Sequence, residues 1–169
     1  TGYGFLGLGF ILGLIYFVFN LLKTRKNHKQ LDLIIEELTY INELTLTIGL
    51  FLVTIGVLFG AVWANETWGG YWKWDAKETW SLATIIAYSI VLHFRLVPFM
   101  KGKYIFNIGA VISFATVFIT FLGVNYYFTK SIHSYATGDA PTFPIWGWIV
   151  IFLILALIVF SGIKRKRLS

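Results

Sequence analysis

The chain has 169 residues, of which 57% are hydrophobic and 13% charged, with a formal net charge of +6 and no cysteine. That composition excludes a water-soluble globular domain, and the missing thiols exclude disulfides, thiolate metal sites and a cysteine nucleophile. The positive charge does not point to nucleic acid. Eleven of the fourteen basic residues fall in three clusters beside long apolar blocks, which is the pattern of a membrane topology signal.

The first apolar block covers residues 3–22, opens directly from Thr1 and carries Gly9-x-x-x-Gly13. A run of about 18 or more apolar residues crosses the roughly 30 Å hydrocarbon core as a helix, and glycines four apart let two such helices approach closely. The abrupt start is that expected of the C-terminal portion of a longer protein. Lys23, Arg25, Lys26 and Lys29 follow. Leu31, Ile34, Ile35, Leu38 and Ile41 then recur at helical spacing between acidic residues, which predicts an amphipathic helix on the membrane surface. The second span is predicted over 45–63 and contains Gly56-x-x-x-Gly60. A polar, aromatic loop occupies 64–79, and a third span 80–97. Pro98 and Gly102 break the chain between Arg95, Lys101 and Lys103. A fourth span covers 104–126, a second polar loop 127–144, and a fifth span 145–163, ending at Lys164, Arg165, Lys166 and Arg167.

These elements predict an all-α integral membrane bundle of about five transmembrane helices plus the amphipathic surface helix, forming one membrane domain over 1–169. Basic residues mark cytoplasmic loops, and the three clusters follow spans one, three and five. Thr1 is then outside and Ser169 inside. Both polar loops face outward, with Trp63, Trp68, Tyr71, Trp146 and Trp148 at the outer interface.

The densest chemical signal runs from Trp63 to Trp80, where five tryptophans and Tyr71 occur within 18 residues. An aromatic belt would account for one or two of them. It does not account for the interleaved Glu66, Lys73, Asp75, Lys77 and Glu78, or for Gly69-Gly70. An aromatic surface with polar handles suits a large, flat, amphipathic ligand. Indole faces would stack on a macrocycle, and Lys73 or Lys77 would either meet its carboxylates or stand solvated in the loop. Asp75-x-x-Glu78 before an apolar helix also reads as a capping box. No group here offers acid–base or nucleophilic catalysis.

His93 interrupts an apolar stretch near the cytoplasmic end of the third span. An ionisable residue inside a span is costly and is commonly functional, the plain alternative being a hydrogen bond to a neighbouring helix. His133 lies in the second loop, where a histidine by itself is ordinary, and His28 belongs to a solvated basic run. Trp80 and His93 are 13 residues apart, roughly 20 Å along a helix, so one ligand cannot reach both.

The run Trp68-Gly-Gly-Tyr71-Trp72-Lys-Trp74-Asp75-Ala-Lys77-Glu78-Thr79 resembles the "WWD" signature of the cytochrome c assembly family. Gly60-Ala-Val-Trp63-Ala-Asn65-Glu66, Leu92-His93-Phe-Arg95, and Gly123-Val-Asn125 followed by Ser131-Ile-His133-Ser134-Tyr135 fit the same family. The matches are most like the C-terminal membrane part of the system II cytochrome c synthase, the CcsA or ResC component, fused in some members as CcsBA. The resemblance implies haem b as the group handled. Haem is brought to the outer face, where its vinyl groups join the thiols of a Cys-x-x-Cys-His motif in apocytochrome c. It implies His93 as the transmembrane and His133 as the external axial ligand of haem iron, with Trp68, Tyr71, Trp72, Trp74 and Asp75 around the cofactor. The partners implied are apocytochrome c, the N-terminal part of the synthase or a CcsB/ResB-type subunit, and membrane lipid. The setting implied is the bacterial inner membrane or the thylakoid membrane, with the Trp-rich loop on the periplasmic or lumenal side. Two departures stand out. Ala76 occupies a position that is usually proline. The family also uses four histidines, so the partners of His93 and His133 are expected upstream of Thr1.

Haem lyase activity, as part of a synthase and not from this portion alone, is the function expected. A haem transporter or chaperone of the same superfamily, without thioether formation, is the alternative, and an aromatic-belted scaffold is a third class. The topology is testable directly. A reporter active only in the cytoplasm should function when fused after Ser169, and activity there of a reporter restricted to the opposite compartment would reverse the assignment.

Overall fold

The computed structural model describes residues 1–24, 26–126 and 142–168. Within them the chain is helical, in the order α1 (Gly2–Leu22), α2 (His28–Trp68), α3 (Ala76–His93), a 3₁₀ turn (Phe94–Leu96), α4 (Lys103–Phe118), a π segment (Ile119–Gly123), α5 (Val124–Tyr126) and α6 (Ile145–Leu168). Five helices are long and apolar enough to cross a membrane, as the apolar blocks predict.

α1 is the centre of the bundle and packs against α2, α4 and α6. Its glycines make this possible. A Cβ on Gly13 would meet Val111 of α4, and one on Gly9 would meet Leu46 and Asn42 of α2. Gly2 lies against the Val53 backbone, and Gly49 against Leu6. These pairs run antiparallel, so the last 15 residues of α2, those after Val53, extend about 22 Å beyond the start of α1. Leu6, Leu46, Tyr88, Val91, Phe106 and Ala110 join α1 to α4 in one core. Tyr16, Phe17, Ile35, Val111 and Ile158 bring α6 onto the opposite side in a second.

Lipid tails are as apolar as leucine, so burial of apolar surface does not by itself bind helices together; close contact and interhelical hydrogen bonds do. Asn42 Nδ2 donates to Asn107 Oδ1 at 2.9 Å, and Asn107 Nδ2 donates to Thr39 Oγ1 at 3.2 Å and to the Lys103 carbonyl at 2.8 Å. Both asparagines are fully buried.

The basic clusters converge at one end. Lys23 pairs with Asp32 at 2.6 Å, Lys103 with Glu36 at 3.2 Å, and Arg95 with Glu43. Lys164 Nζ donates to the Leu21 carbonyl, and Arg165 lies over the Tyr104 ring. The Trp-rich connection is at the other end, where Tyr3 Oη donates to Ser81 Oγ at 3.4 Å.

Several boundaries differ from the sequence expectation. The helix through Leu31 and Ile41 exists, but as the first turns of α2 and not as a separate surface element. No glycine or proline interrupts residues 28–48, and Ile35, Thr39, Asn42 and Leu46 form one buried stripe across the expected break. α2 also continues through Trp68, and α3 starts at Ala76, so seven residues, 69–75, form the non-helical connection instead of 64–79. The fourth span is not a uniform α-helix. It widens into the π segment, from which Thr120 meets Thr84 at 3.4 Å and Phe121 meets Tyr3 edge-on at 4.9 Å. Most of the expected loop 127–144, including His133, lies outside the described residues.

The glycines separate into two kinds. At Gly49 a Cβ would come within 2.8 Å of Leu6 Cδ2 and 3.2 Å of Leu6 N, whereas at Gly56 it would meet nothing within 4 Å. Gly49→Ala should therefore destabilise the protein by about 1–3 kcal/mol. Gly56→Ala, which removes the helix penalty of glycine, should be neutral or stabilising by up to about 1 kcal/mol. Thermal unfolding in detergent reads both; equal effects of the two would contradict this packing.

Candidate functional site

The Trp-rich connection is built from its two helix ends. Gly69 closes α2 in the left-handed conformation, φ 70°, with its N–H on the Asn65 carbonyl at 2.9 Å, as glycine does after a helix C-terminus. Asp75 opens α3. Its side chain accepts from the Lys77 N–H at 3.2 Å, and Glu78 reaches back to the Asp75 N–H, completing the capping box that the sequence suggests.

Glu78 does more than cap. The same carboxylate oxygen accepts from the Lys73 N–H at 2.8 Å and from the Asp75 N–H at 3.2 Å. These two N–H groups flank Trp74, the single non-glycine residue with positive φ, 55°, among the described residues. That conformation is uncommon for a bulky residue and persists where surrounding contacts enforce it. Lys73 Nζ donates to the Trp68 carbonyl at 3.0 Å and ties the connection back to α2. The charged residues interleaved with the tryptophans thus fix the backbone.

The aromatic side chains are left available. Trp74 is 71% exposed, Tyr71 60% and Trp63 54%. Trp72 and Trp74 meet edge-on at 5.9 Å, and Trp63 and Trp68 at 5.0 Å. Trp72 is half-buried and lines a cleft of about 380 Å³ with Gly2, Tyr3, Gly56, Gly60 and Tyr71. Its Nε1 atom is buried without a hydrogen-bond partner among the described residues, a condition that costs about 1–3 kcal/mol. Neither this donor nor the contribution of Gly2, Tyr3, Gly56 and Gly60 to the cleft was legible, since the cleft unites residues from three elements.

His93 is the last residue of α3 and is exposed. Its Nδ1 lies 2.6 Å from the Ser89 carbonyl. A carbonyl only accepts, so Nδ1 carries the hydrogen, and in the neutral ring Nε2 keeps its lone pair. This is the arrangement in which a backbone carbonyl orients a metal-ligating imidazole. The 17 residue steps from Ala76 to His93 correspond to about 26 Å, so the structure separates His93 from the Trp-rich connection, as the spacing predicts. Beside His93 in sequence, Arg95 lines a second cleft of about 750 Å³ with Glu36, Glu37, Tyr40, Lys101 and Lys103. The sequence shows these charges but not their convergence, which joins α2 to the turn before α4.

Among the described residues no group of three or more histidine, cysteine, aspartate or glutamate side chains could hold a bare metal ion. A planar cofactor with its own ring nitrogens needs only axial ligands. The free Nε2 of His93 and the unburied indoles fit such a group.

Comparison with known proteins gives this arrangement a family. The model of the cytochrome C assembly protein family matches residues 1–133, a stretch that takes in the Trp-rich connection and His93 and ends at His133. Protein NrfI of Wolinella succinogenes is 42% identical over 139 residues, covering 82% of this chain and 15% of that protein. The cytochrome c biogenesis protein CcsA of Gloeobacter violaceus is 47% identical over 88 residues, 52% of this chain and 25% of that protein. CcsA of Chlamydomonas reinhardtii is 40% identical over 134 residues, 79% of this chain and 37% of that protein. The chain therefore spans well under half the length of these relatives. With the match extending over most of its length, the chain belongs to the cytochrome c assembly protein family.

Proposed function

We propose that this chain is the haem-handling membrane part of a cytochrome c synthase. In this reading it presents haem b at its Trp-rich end for attachment to the Cys-x-x-Cys-His motif of apocytochrome c. The observation that carries the reading is the Trp-rich connection itself, whose backbone Glu78 and Lys73 fix while Tyr71 and Trp74 stay unburied. Rigid, exposed aromatic faces suit a flat macrocycle better than they suit a lipid-facing belt.

Haem is the cargo here. Thioether formation adds a substrate S–H across a haem vinyl group, so bond-making atoms come from haem and apocytochrome. The contribution of this chain is to hold the two in register and keep them there. Trp68, Tyr71, Trp72 and Trp74 supply the stacking surface, Asp75 shapes it through the cap of α3, and His133 supplies an axial imidazole. His93, at the basic end, supplies an axial imidazole to haem at an earlier station. The tendency of basic residues to stay on the cytoplasmic side supports a Trp-rich end on the periplasmic or lumenal side of a bacterial inner or thylakoid membrane. The second histidine of each pair comes from the N-terminal part of the synthase or from a CcsB/ResB-type subunit.

In the full protein, His93→Ala should abolish haem bound at the basic end and lower cytochrome c maturation at least tenfold. His133→Ala should keep that haem and still block maturation. Added imidazole should restore part of the loss in either variant. Haem absorption of the purified protein and covalent haem on a co-expressed Cys-x-x-Cys-His protein are the measurements. Wild-type haem content and maturation in His93→Ala would reduce that residue to its Ser89 contact, and haem delivery without covalent product would favour a transporter.

A further inference from the structure

Three consecutive residues at the end of α3 have three different partners. His93 Nδ1 donates to the Ser89 carbonyl of its own helix. The Phe94 ring lies against Gly109 of α4, where a Cβ would come within 2.8 Å of it. The Arg95 guanidinium pairs with the Glu43 carboxylate of α2. Phe94 and Arg95 belong to a tight 3₁₀ turn, closed by the Val97 N–H on the Phe94 carbonyl at 3.1 Å. The end of α3 is therefore gripped by α4 at Phe94 and by α2 at Arg95, directly after the imidazole.

Glu43 is unlike the other carboxylates that pair with cations at this end. Its side chain is 23% exposed, against 51% for Asp32 and 64% for Glu36 among the described residues. An acidic group set this far into a membrane-spanning helix is costly and commonly functional. Its depth is also fixed, since the preceding residue, Asn42, holds Asn107 of α4. We propose that Glu43 is a positioning residue for His93. Acting through Arg95, it sets the end of α3 and with it the direction of the free Nε2 lone pair. The inference rests on the reading of His93 as an axial haem ligand and extends that site to a second helix. Ser89 fixes the tautomer, and Glu43 fixes where the ring stands. An iron–imidazole bond is directional, so groups that only orient the ligand still govern its strength.

The test uses the full protein in detergent, in a His133→Ala background so that haem at the basic end is titrated. The probes are ferric free-acid haem and its dimethyl ester. Glu43→Gln keeps the shape of the side chain and removes its charge. It should lower affinity for both probes about tenfold or more, as loss of an outer-shell partner does. Part of the bound haem should shift from low-spin to high-spin absorption, and added imidazole should restore the low-spin form. An ion pair this open contributes little to stability, so the haem-free melting temperature should stay within about 4 °C. Arg95→Gln should give the same loss, and the double variant no more than either single one. Unchanged affinity and spin state in Glu43→Gln overturn the proposal. Losses that add in the double variant also overturn it. So does a loss confined to free-acid haem, which would make Arg95 a direct propionate contact. His93→Ala separates the two levels of the argument. If it binds both probes as tightly as the background protein, the ligand reading fails and the inference falls with it. If it loses haem while Glu43→Gln does not, the inference alone is struck.

Discussion

The Asn42–Asn107 hydrogen bond, with Thr39 beside it, is the contact on which the register of the bundle depends. Apolar side chains slide past one another in lipid at little cost, because every depth offers equivalent surroundings. A paired amide does not slide, since its alternative is an unsatisfied polar group in hydrocarbon. Asn107 engages α2 twice, at Asn42 and Thr39, one helical turn apart. That fixes α4 along α2 to within a fraction of a turn. α1 then fits only where its glycines meet the bulky residues of both partners, Gly9 against Leu46 and Gly13 against Val111. Membrane systems give each such hydrogen bond about 0.6–2 kcal/mol, a modest energy but a specific one.

That register decides what happens at the two ends. On α2 the ion-pair partner of Arg95 is Glu43, and that of Lys103 is Glu36. Seven residues separate the two carboxylates, about 10 Å along the helix. α3 therefore ends about two turns deeper in the bundle than α4 begins, and the cleft lined by Arg95, Lys101 and Glu37 occupies the difference. His93 is thus close to a polar recess and not flush with the outer limit of the bundle. At the other end the same register carries α2 some 15 residues past Val53, and the Trp-rich connection folds back from that arm so that Tyr71 and Trp72 share a cleft with Gly2 and Tyr3. The cleft beneath Trp72 is the space under that arm.

The sequence announced whatever is local. The apolar blocks gave the five spans because the bilayer sets one length for all of them. Asp75-x-x-Glu78 gave a capping box because its bonds lie within one turn. It did not reveal the second bond of Glu78, to the Lys73 N–H, because that bond depends on Trp74 adopting positive φ. Glycine spacing was ambiguous for the same reason. Gly9-x-x-x-Gly13 and Gly56-x-x-x-Gly60 are the same pattern, yet the first is packed and the second open, and the tightly packed Gly49 belongs to neither. Helix contact is a property of two chain segments, and a motif on one of them cannot supply it. The fusion of the amphipathic stretch with the second span was hidden because Glu36, Glu37 and Glu43 read as polar-face residues, when two of them pair with cations from the α3–α4 turn. The expectation that His133 is a site residue rests on family resemblance alone, since a loop histidine carries no periodicity to set it apart.

The arrangement of the Trp-rich connection also bears on why charged residues are interleaved with tryptophans at all. A seven-residue link carrying Tyr71, Trp72 and Trp74 would collapse onto its own apolar surface if nothing held it open. Glu78 and Lys73 prevent this by binding the backbone from both sides, Glu78 through two N–H groups and Lys73 through the Trp68 carbonyl. Both anchors are ionic, and among the described residues each bonds to peptide groups and not to another charged side chain, so the link is held there without an ion pair, whose desolvation can exceed its gain. Tyr71 and Trp74 are left to face outward, and the cost of positive φ at Trp74 is borne by these bonds instead of by self-burial. A surface ordered in advance loses little further entropy when a flat ligand arrives, and that is a sufficient reason for a loop that offers aromatic faces to hold them with charges.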